Sequence, residues 1–190
     1  MTDAPRPRAG ASLFVSQPPI VQEIVARREI LTALLRAAAE RAGRDPEGFR
    51  IVAVTKGFSA DVARAAVDAG LTRLGENRVQ EALPKIEALP DAEWHLVGRL
   101  QRNKVRKALA AFAVIHSVDS IELLRRLDGD AAAAGLAPRL LLQVNVSGEA
   151  TKAGFAPERL DEAIPALSDR VVGLMTMARH DADDEEQRRT

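Results

Sequence analysis

The sequence predicts an α/β fold in which parallel strands alternate with helices, and three observations support this. Six short, largely apolar runs recur along the 190 residues, and each is followed by a helical pattern or by the start of one. The first run is almost continuously apolar, which is typical of a strand covered on both faces. A return to a parallel neighbour needs a crossover, and the crossover is normally a helix.

The elements follow in order along the chain. An amphipathic opening helix is predicted over residues 20–42, and Gly43 is placed to end it. Its predicted apolar face consists of Ile20, Ile24, Leu31, Leu34, Leu35 and Ala38. The strands are predicted at residues 51–56, 73–77, 93–98, 113–118, 139–146 and 170–177. The helices between them are predicted at residues 59–70, 78–89, 100–112, 119–135 and 157–167.

Capping residues support several of these boundaries. Ser59 is expected to be the N-cap of the helix that Gly70 ends, with Asp61 in the first turn, where the helix dipole favours an anion. Asp119 and Glu122 have the spacing of a capping-box variant. The last predicted helix begins with a proline, which suits its first turn, and an acidic helix start follows the sixth strand.

Two architectures accept this alternation, an open doubly wound sheet and a (β/α)8 barrel. A barrel has eight units and typically about 250 residues, so the count of strands alone slightly favours the open sheet. The first strand is followed by "TKGFSAD", which lacks the G-x-G-x-x-G glycines of a dinucleotide-binding turn. A dinucleotide-binding domain is therefore not expected.

Composition excludes several classes of function. Lys plus Arg and Asp plus Glu both total 27, so no net charge favours nucleic acid or a membrane surface, and the basic run at residues 99–107 is expected to be a solvated helix face. The absence of cysteine removes disulfides and thiolate sites and suits a cytoplasmic protein. The three histidines lack metal-ligand spacing, so no metal site is predicted. Residues 1–18 are expected to form a flexible leader.

Lys56 ends the first strand, at the edge of the sheet where parallel α/β folds place their functional sites. An ammonium between low-dielectric walls loses hydration, which favours the neutral amine that attacks aldehydes. Position alone is more typical of a lysine that caps a strand and reaches solvent.

Polar residues at other strand ends could complete a site for a small polar ligand, although each alone is typical of a loop or helix cap. They are Glu76, Asn77, Ser117, Asp119, Asn145, Ser147 and Thr176. His95 and His116 lie within predicted strands and are expected to be structural. No catalytic residue is assigned.

Several longer motifs resemble one known family in order and spacing. They are "VAVTKGFS", "GENRVQEALPKI", "WHLVGRLQRNKVR", "IHSVDS", "QVNVSGEATKAGF" and "GLMTMA", between about residues 20 and 178. The sequence thus resembles the pyridoxal phosphate homeostasis proteins, which are related to the N-terminal barrel domain of alanine racemase. The resemblance implies a (β/α)8 barrel domain over residues 19–190, pyridoxal 5′-phosphate bound to Lys56 as a Schiff base, and Asn77 near the cofactor. It also implies a monomeric cytoplasmic carrier of this vitamin B6 cofactor without catalytic turnover, with cofactor-dependent apoenzymes as possible partners.

The sequence also departs from that family. Family members continue with two further strands, which supply a Ser/Gly-rich loop for the phosphate and an arginine that faces the pyridine ring. We therefore expect an incomplete, C-terminally truncated barrel of about six units, with unpaired edges and low stability. Two alternatives stay open: an amino-acid racemase, which the lack of any tyrosine disfavours, and a remnant that no longer binds the cofactor.

Overall fold

The computed structural model describes residues 18–147 and 153–177. The helices are α1 (Pro19–Arg41), α2 (Ala60–Asp68), α3 (Val79–Ala88), α4 (Val105–Ala111) and α5 (Ile121–Ala134), with 3-10 helices at Arg102–Lys104 and Pro157–Ala166. The strands are β1 (Ala53–Val54), β2 (Arg73–Glu76), β3 (Glu93–Leu96), β4 (Val114–Val118), β5 (Arg139–Gln143) and β6 (Val171–Met175). The expected leader, apart from its last residue, lies outside the described residues.

The six strands form one parallel sheet in which every strand pairs with the strand that follows it in sequence, in the order β1-β2-β3-β4-β5-β6. A doubly wound sheet reverses its strand order at a switch point, whereas a barrel keeps the sequential order. The incomplete barrel is therefore confirmed, and the preference for an open sheet from the strand count was wrong.

The main core lies between the outer face of the sheet and the helices. Leu74, Leu96, Ile115 and Leu140 extend from the strands into this layer and are almost fully buried. Trp94 joins them and donates its indole N–H to the carbonyl of Leu89, at 3.1 Å. The helices contribute Ala63, Ala82, Ala108, Leu124 and Leu127, each with no exposed surface. This packing fixes the strands relative to one another and so places the loops that follow them.

The predicted apolar face of α1 is wrong except at Ile24 and Leu35, which are half-buried. Leu34, for example, is 63% exposed, whereas Val21, which lay off that face, is 1% exposed and packs with Ala65 and Ala69 of α2. The two alanines allow α1 to approach closely, and Arg28 donates to the carbonyl of Ala69 at 2.6 Å. The tertiary contact with α2 therefore decides which stripe of α1 is buried.

Local predictions were confirmed at glycines and corrected elsewhere. Gly43 and Gly70 follow their helices with φ of +64° and +84°, a conformation that favours glycine. Ser59 is at the N-cap position of α2, without a side-chain cap. The capping-box expectation was wrong, because Ser120 caps α5 by accepting from the Leu123 N–H at 3.3 Å, while Asp119 pairs with Arg99.

Two elements differ from prediction because of their place in the sheet or their composition. β1 is shorter than predicted and Val54 is 45% exposed, since β1 is a terminal strand of the described sheet and is not covered on both faces. β6 is the other terminal strand, and its Val172 and Leu174 are also exposed, as expected for sheet edges. Residues 157–166 form a 3-10 helix with Pro165 inside it, where a proline cannot donate an α-helical hydrogen bond.

None of the helices within residues 18–147 and 153–177 combines the length and the apolar character that crossing a bilayer would need.

The contrast between the core and α1 predicts a matched pair of effects. Leu127→Ala should lower the free energy of unfolding by about 2–5 kcal/mol, because Leu127 is fully buried and truncation leaves a cavity. Leu34→Ala, at an exposed position, should change it by less than about 0.5 kcal/mol. Urea titrations monitored by circular dichroism measure both, and equal effects at the two positions would contradict the described packing.

Candidate functional site

Lys56 lies in a tight turn directly after β1. The N–H of Phe58 donates to the carbonyl of Thr55 at 3.1 Å, which makes Thr55–Phe58 a β-turn with Lys56 and Gly57 at its centre. Gly57 has φ of +76°, and a type II turn requires a positive φ at this third position. The glycine after the lysine therefore turns the chain and leaves the Lys56 side chain exposed at the end of the strand.

A cavity of about 570 Å³ lies at the carboxyl ends of the strands, and Lys56 and Asn77 both line it. We call it the strand-end cavity. Its other lining residues are Val54, Val97, Gly98, Arg99, Gln143, Val144, Asn145, Ala153, Met175 and Met177. Residues from both terminal strands, β1 and β6, thus meet at one cavity with the ends of β2, β3 and β5. The two cofactor residues that the resemblance implied are brought together here.

The predicted ring of polar strand-end residues is only partly present. Asn77 and Asn145 line the strand-end cavity, and Ser147 donates to Oδ1 of Asn145 at 2.8 Å. Glu76 and Ser117 are instead fully buried. Of the other two, Asp119 lines a neighbouring cavity of about 630 Å³, and Thr176 is exposed between two cavity-lining methionines.

Sequence analysis missed several cavity residues. Gln143 is the last residue of β5 and points to the inner side, where its amide donates to the carbonyl of Ala153 at 2.9 Å. Arg99 lines the strand-end cavity and pairs with Asp119 at 3.3 Å. The alternation of side chains along β5 could have indicated Gln143. The basic run at residues 99–107 predicts a solvated Arg99, and its side chain is 77% exposed, but only the fold brings it to the cavity.

Asn77 is held by a close approach of two backbones. A Cβ atom on Gly98 would lie 2.3 Å from the carbonyl oxygen of Asn77, so only glycine fits there. The N–H of Val97 donates to the carbonyl of Glu76 at 2.9 Å, which extends the pairing of β2 and β3 beyond the strands themselves. The glycine in "LVGR" therefore lets the end of β3 lie against Asn77.

The expected low-dielectric wall around Lys56 is absent from the part of the chain that the structure describes. Lys56 is exposed, because its turn follows a terminal strand. Of the two alternatives that its position left open, the structure shows the lysine that reaches solvent. Lys56 and Asn77 nevertheless both line the strand-end cavity.

The two histidines form a polar network on the inner side of the sheet, apart from the residues that line the strand-end cavity. Nε2 of His95 lies 2.8 Å from Oε1 of Glu93, and Nδ1 of His95 lies 2.8 Å from Nε2 of His116. Glu93 also forms salt bridges with two arginines: Nε of Arg73 lies 3.1 Å from its Oε1, and a guanidinium nitrogen of Arg139 lies 2.8 Å from its Oε2. When His95 donates to Glu93 through Nε2, its Nδ1 can accept from the Nε2–H of His116.

Burial and the nearby positive charge lower both histidine pKa values. Burial and then the charge of His95 lower the pKa of His116 to about 4. The pKa of His95 is also lowered, chiefly by burial, although Glu93 opposes the shift. Within the described residues, no group of three or more histidine, cysteine or acidic side chains could hold a metal ion.

Comparison with known proteins gives consistent matches. The family model described as the alanine racemase N-terminal domain matches residues 29–190. The pyridoxal phosphate homeostasis protein of Pseudomonas aeruginosa is 45% identical over 147 residues, covering 76% of this chain and 62% of that protein. The protein of the same name from Deinococcus radiodurans is 42% identical over 151 residues, covering 77% and 71%.

A solved structure agrees with these sequence matches. The structure of PipY from Synechococcus elongatus with pyridoxal phosphate (PLP) bound has 41% identity and a TM-score of 0.67, and the match covers 80% of this chain and 73% of that one. Four of the curated relatives are covered over only 62–65% of their own length, so this chain spans less than two thirds of them.

The histidine network predicts a pH dependence of stability. Unfolded histidine has a pKa of about 6.5, whereas folded His116 stays neutral down to about pH 4. The unfolded chain then binds more protons, so the free energy of unfolding should fall as the pH is lowered from 7 to 5. His116→Gln keeps an N–H donor for His95 and should reduce this fall. Urea titrations across this range measure it, and an equal fall in the variant would contradict the assignment.

Proposed function

The chain belongs to the alanine racemase N-terminal domain family and, within it, to the pyridoxal phosphate homeostasis proteins. From this membership we propose that the chain binds pyridoxal 5′-phosphate at Lys56. Its role is to store and deliver this vitamin B6 cofactor without catalytic turnover. The observation that carries the proposal is the meeting of Lys56 and Asn77 in one cavity at the carboxyl ends of the strands.

The chemistry of the cavity residues fits this cofactor. PLP supplies an aldehyde, and a primary amine is the protein group that binds an aldehyde covalently. The primary amine of Lys56 would supply the covalent link to the aldehyde carbon, with the aldehyde oxygen released as water. Asn77 and Asn145 offer amide donors and acceptors for the polar atoms of the ring. A cavity of about 570 Å³ lies in the range of small-molecule sites.

Two further features suit the shape and charge of the cofactor. Met175 and Met177 provide a polarizable apolar side to the cavity, as a pyridine ring requires. Arg99 is the second cation that lines it, and a phosphate dianion is attracted to such a charge. A cavity lined by exposed Lys56 and Met177 is also open to exchange with solvent.

The exposure of Lys56 favours a carrier over a catalyst. Lys56 is exposed, so water would reach a cofactor held there and hydrolysis would return the free aldehyde, as delivery requires. A racemase needs a second acid or base on the face opposite the lysine. Among the described residues that line the strand-end cavity, Lys56 and Arg99 are the only ionisable ones, and an arginine does not exchange protons at neutral pH. The cavity thus supports binding without racemisation.

The remaining parts of the proposal concern the cellular setting. We propose a monomer in the cytoplasm that delivers PLP to cofactor-dependent apoenzymes and binds neither nucleic acid nor membranes. The balance of 27 basic and 27 acidic residues supports the last point.

Borohydride trapping tests the site. Purified protein mixed with PLP and then reduced should carry a phosphopyridoxyl group on Lys56, which peptide mass spectrometry locates. Lys56→Ala should abolish this label, because no other amine lines the described cavity. Lys107→Ala, at an exposed lysine of α4, is the matched control and should retain the label. Labelling of the Lys56→Ala protein to the wild-type extent would refute the site, and an unlabelled wild type would support the non-binding alternative.

A racemase assay separates the carrier from the enzyme. Protein saturated with PLP and incubated with L-alanine should yield no D-alanine above a heat-denatured control, because a second proton-transfer group is not found in the described cavity. Chiral chromatography measures the product. Formation of D-alanine that is lost in the Lys56→Ala variant would establish the racemase instead.

A further inference from the structure

We propose that Lys85 is a positioning residue for the cofactor site, an inference that rests on the proposed binding of PLP at Lys56. Lys85 lies on α3, behind the sheet, and does not line the strand-end cavity. Its ammonium group joins the ends of β1 and β2, and these are the strands that place Lys56 and Asn77.

The contacts of Lys85 are short and buried. Its Nζ donates to Oε1 of Glu76 at 2.6 Å and to the carbonyl of Thr55 at 2.8 Å. The hydroxyl of Thr55 donates to the same Oε1 of Glu76, at 2.7 Å. Glu76 has no exposed surface, and Lys85 and Thr55 are 7% and 4% exposed. The side chains of Thr55, directly after β1, of Glu76 in β2 and of Lys85 in α3 thus form one hydrogen-bonded network, in which Oε2 of Glu76 has no partner among the described residues.

This network lies one residue before each proposed cofactor residue. Thr55 precedes Lys56, and its carbonyl accepts from two donors: Nζ of Lys85 and the N–H of Phe58, which closes the turn that carries Lys56. Glu76 likewise precedes Asn77. Lys85 therefore fixes the carbonyl on which the Lys56 turn is built and, through Glu76, the strand end that presents Asn77.

A core without charges could pack α3 against the sheet equally well, so packing alone does not explain this ion pair. Burying two charges costs free energy, and neutral replacements of similar volume are often tolerated. The neighbouring positions of α3 that face the core are Val79 and Ala82, which are apolar. The ammonium adds directional hydrogen bonds, because it donates simultaneously to the carbonyl of Thr55 and to the carboxylate of Glu76 on the next strand.

The test compares a neutral pair with the wild type. The double variant Glu76→Gln/Lys85→Met removes both buried charges and keeps an oxygen that accepts from the Thr55 hydroxyl. Its melting temperature should stay close to that of the wild type, since neither charge is left unpaired. Lys107→Met, the same substitution at an exposed lysine of α4, is the control.

Two readouts report on positioning. The first needs no cofactor: hydrogen exchange of the Thr55 and Phe58 amides, which donate to Gly75 and Thr55, should become about tenfold faster or more in the double variant. The second is the concentration of PLP that gives half-maximal borohydride labelling of Lys56, which should rise about tenfold or more. The Lys107→Met protein should match the wild type in both.

The outcomes separate this inference from the proposed function. Wild-type exchange and labelling in the double variant would overturn the positioning role. Failure of that variant to fold would also overturn it, because Lys85 would then be required for folding and not for placing the turn. If the wild type itself is not labelled by PLP, the proposed function fails, while the exchange measurement still decides whether Lys85 holds the Lys56 turn.

Discussion

The sequential pairing of six parallel strands is the constraint on which the rest of the structure depends. Because every strand runs in the same direction and every return passes through a helix or loop on the outside, all the carboxyl ends lie at one edge. Residues as distant in sequence as Lys56, Asn77 and Asn145 therefore line the same cavity. The topology of the sheet therefore determines where the site lies, and the individual loops determine which side chains line it.

The order of elements could be predicted from the sequence because each strand and helix carries its own local pattern. Gly43 and Gly70 end their helices, and the run before Lys56 leads into its turn, for reasons that are local. The buried stripe of α1 could not be predicted, since its periodicity offers two stripes and Ala65 and Ala69 of α2 select one. The position of Lys56 left its exposure open for a similar reason, because that exposure depends on the terminal place of β1 in the sheet.

The site shows the same division. Asn77 was predicted from the motif that carries it and does line the strand-end cavity, whereas Glu76 in the same motif is buried against α3. Because side chains alternate along a strand, Glu76 and Asn77 point to opposite faces of the sheet. The sequence does not show which face offers a charged partner, because that partner is Lys85, nine residues after Glu76. A lysine within a helical pattern is expected to be solvated, and only the packing of α3 on the sheet shows that Lys85 is buried.

The central claim is that pyridoxal phosphate is held at Lys56 within the strand-end cavity. A crystal structure of the chain grown with this cofactor tests it most directly. The account predicts electron density continuous from Nζ of Lys56 into the cofactor, with the ring beside Asn77, Met175 and Met177. A cofactor bound elsewhere on the chain, with Lys56 free and the strand-end cavity filled only by water, would contradict it.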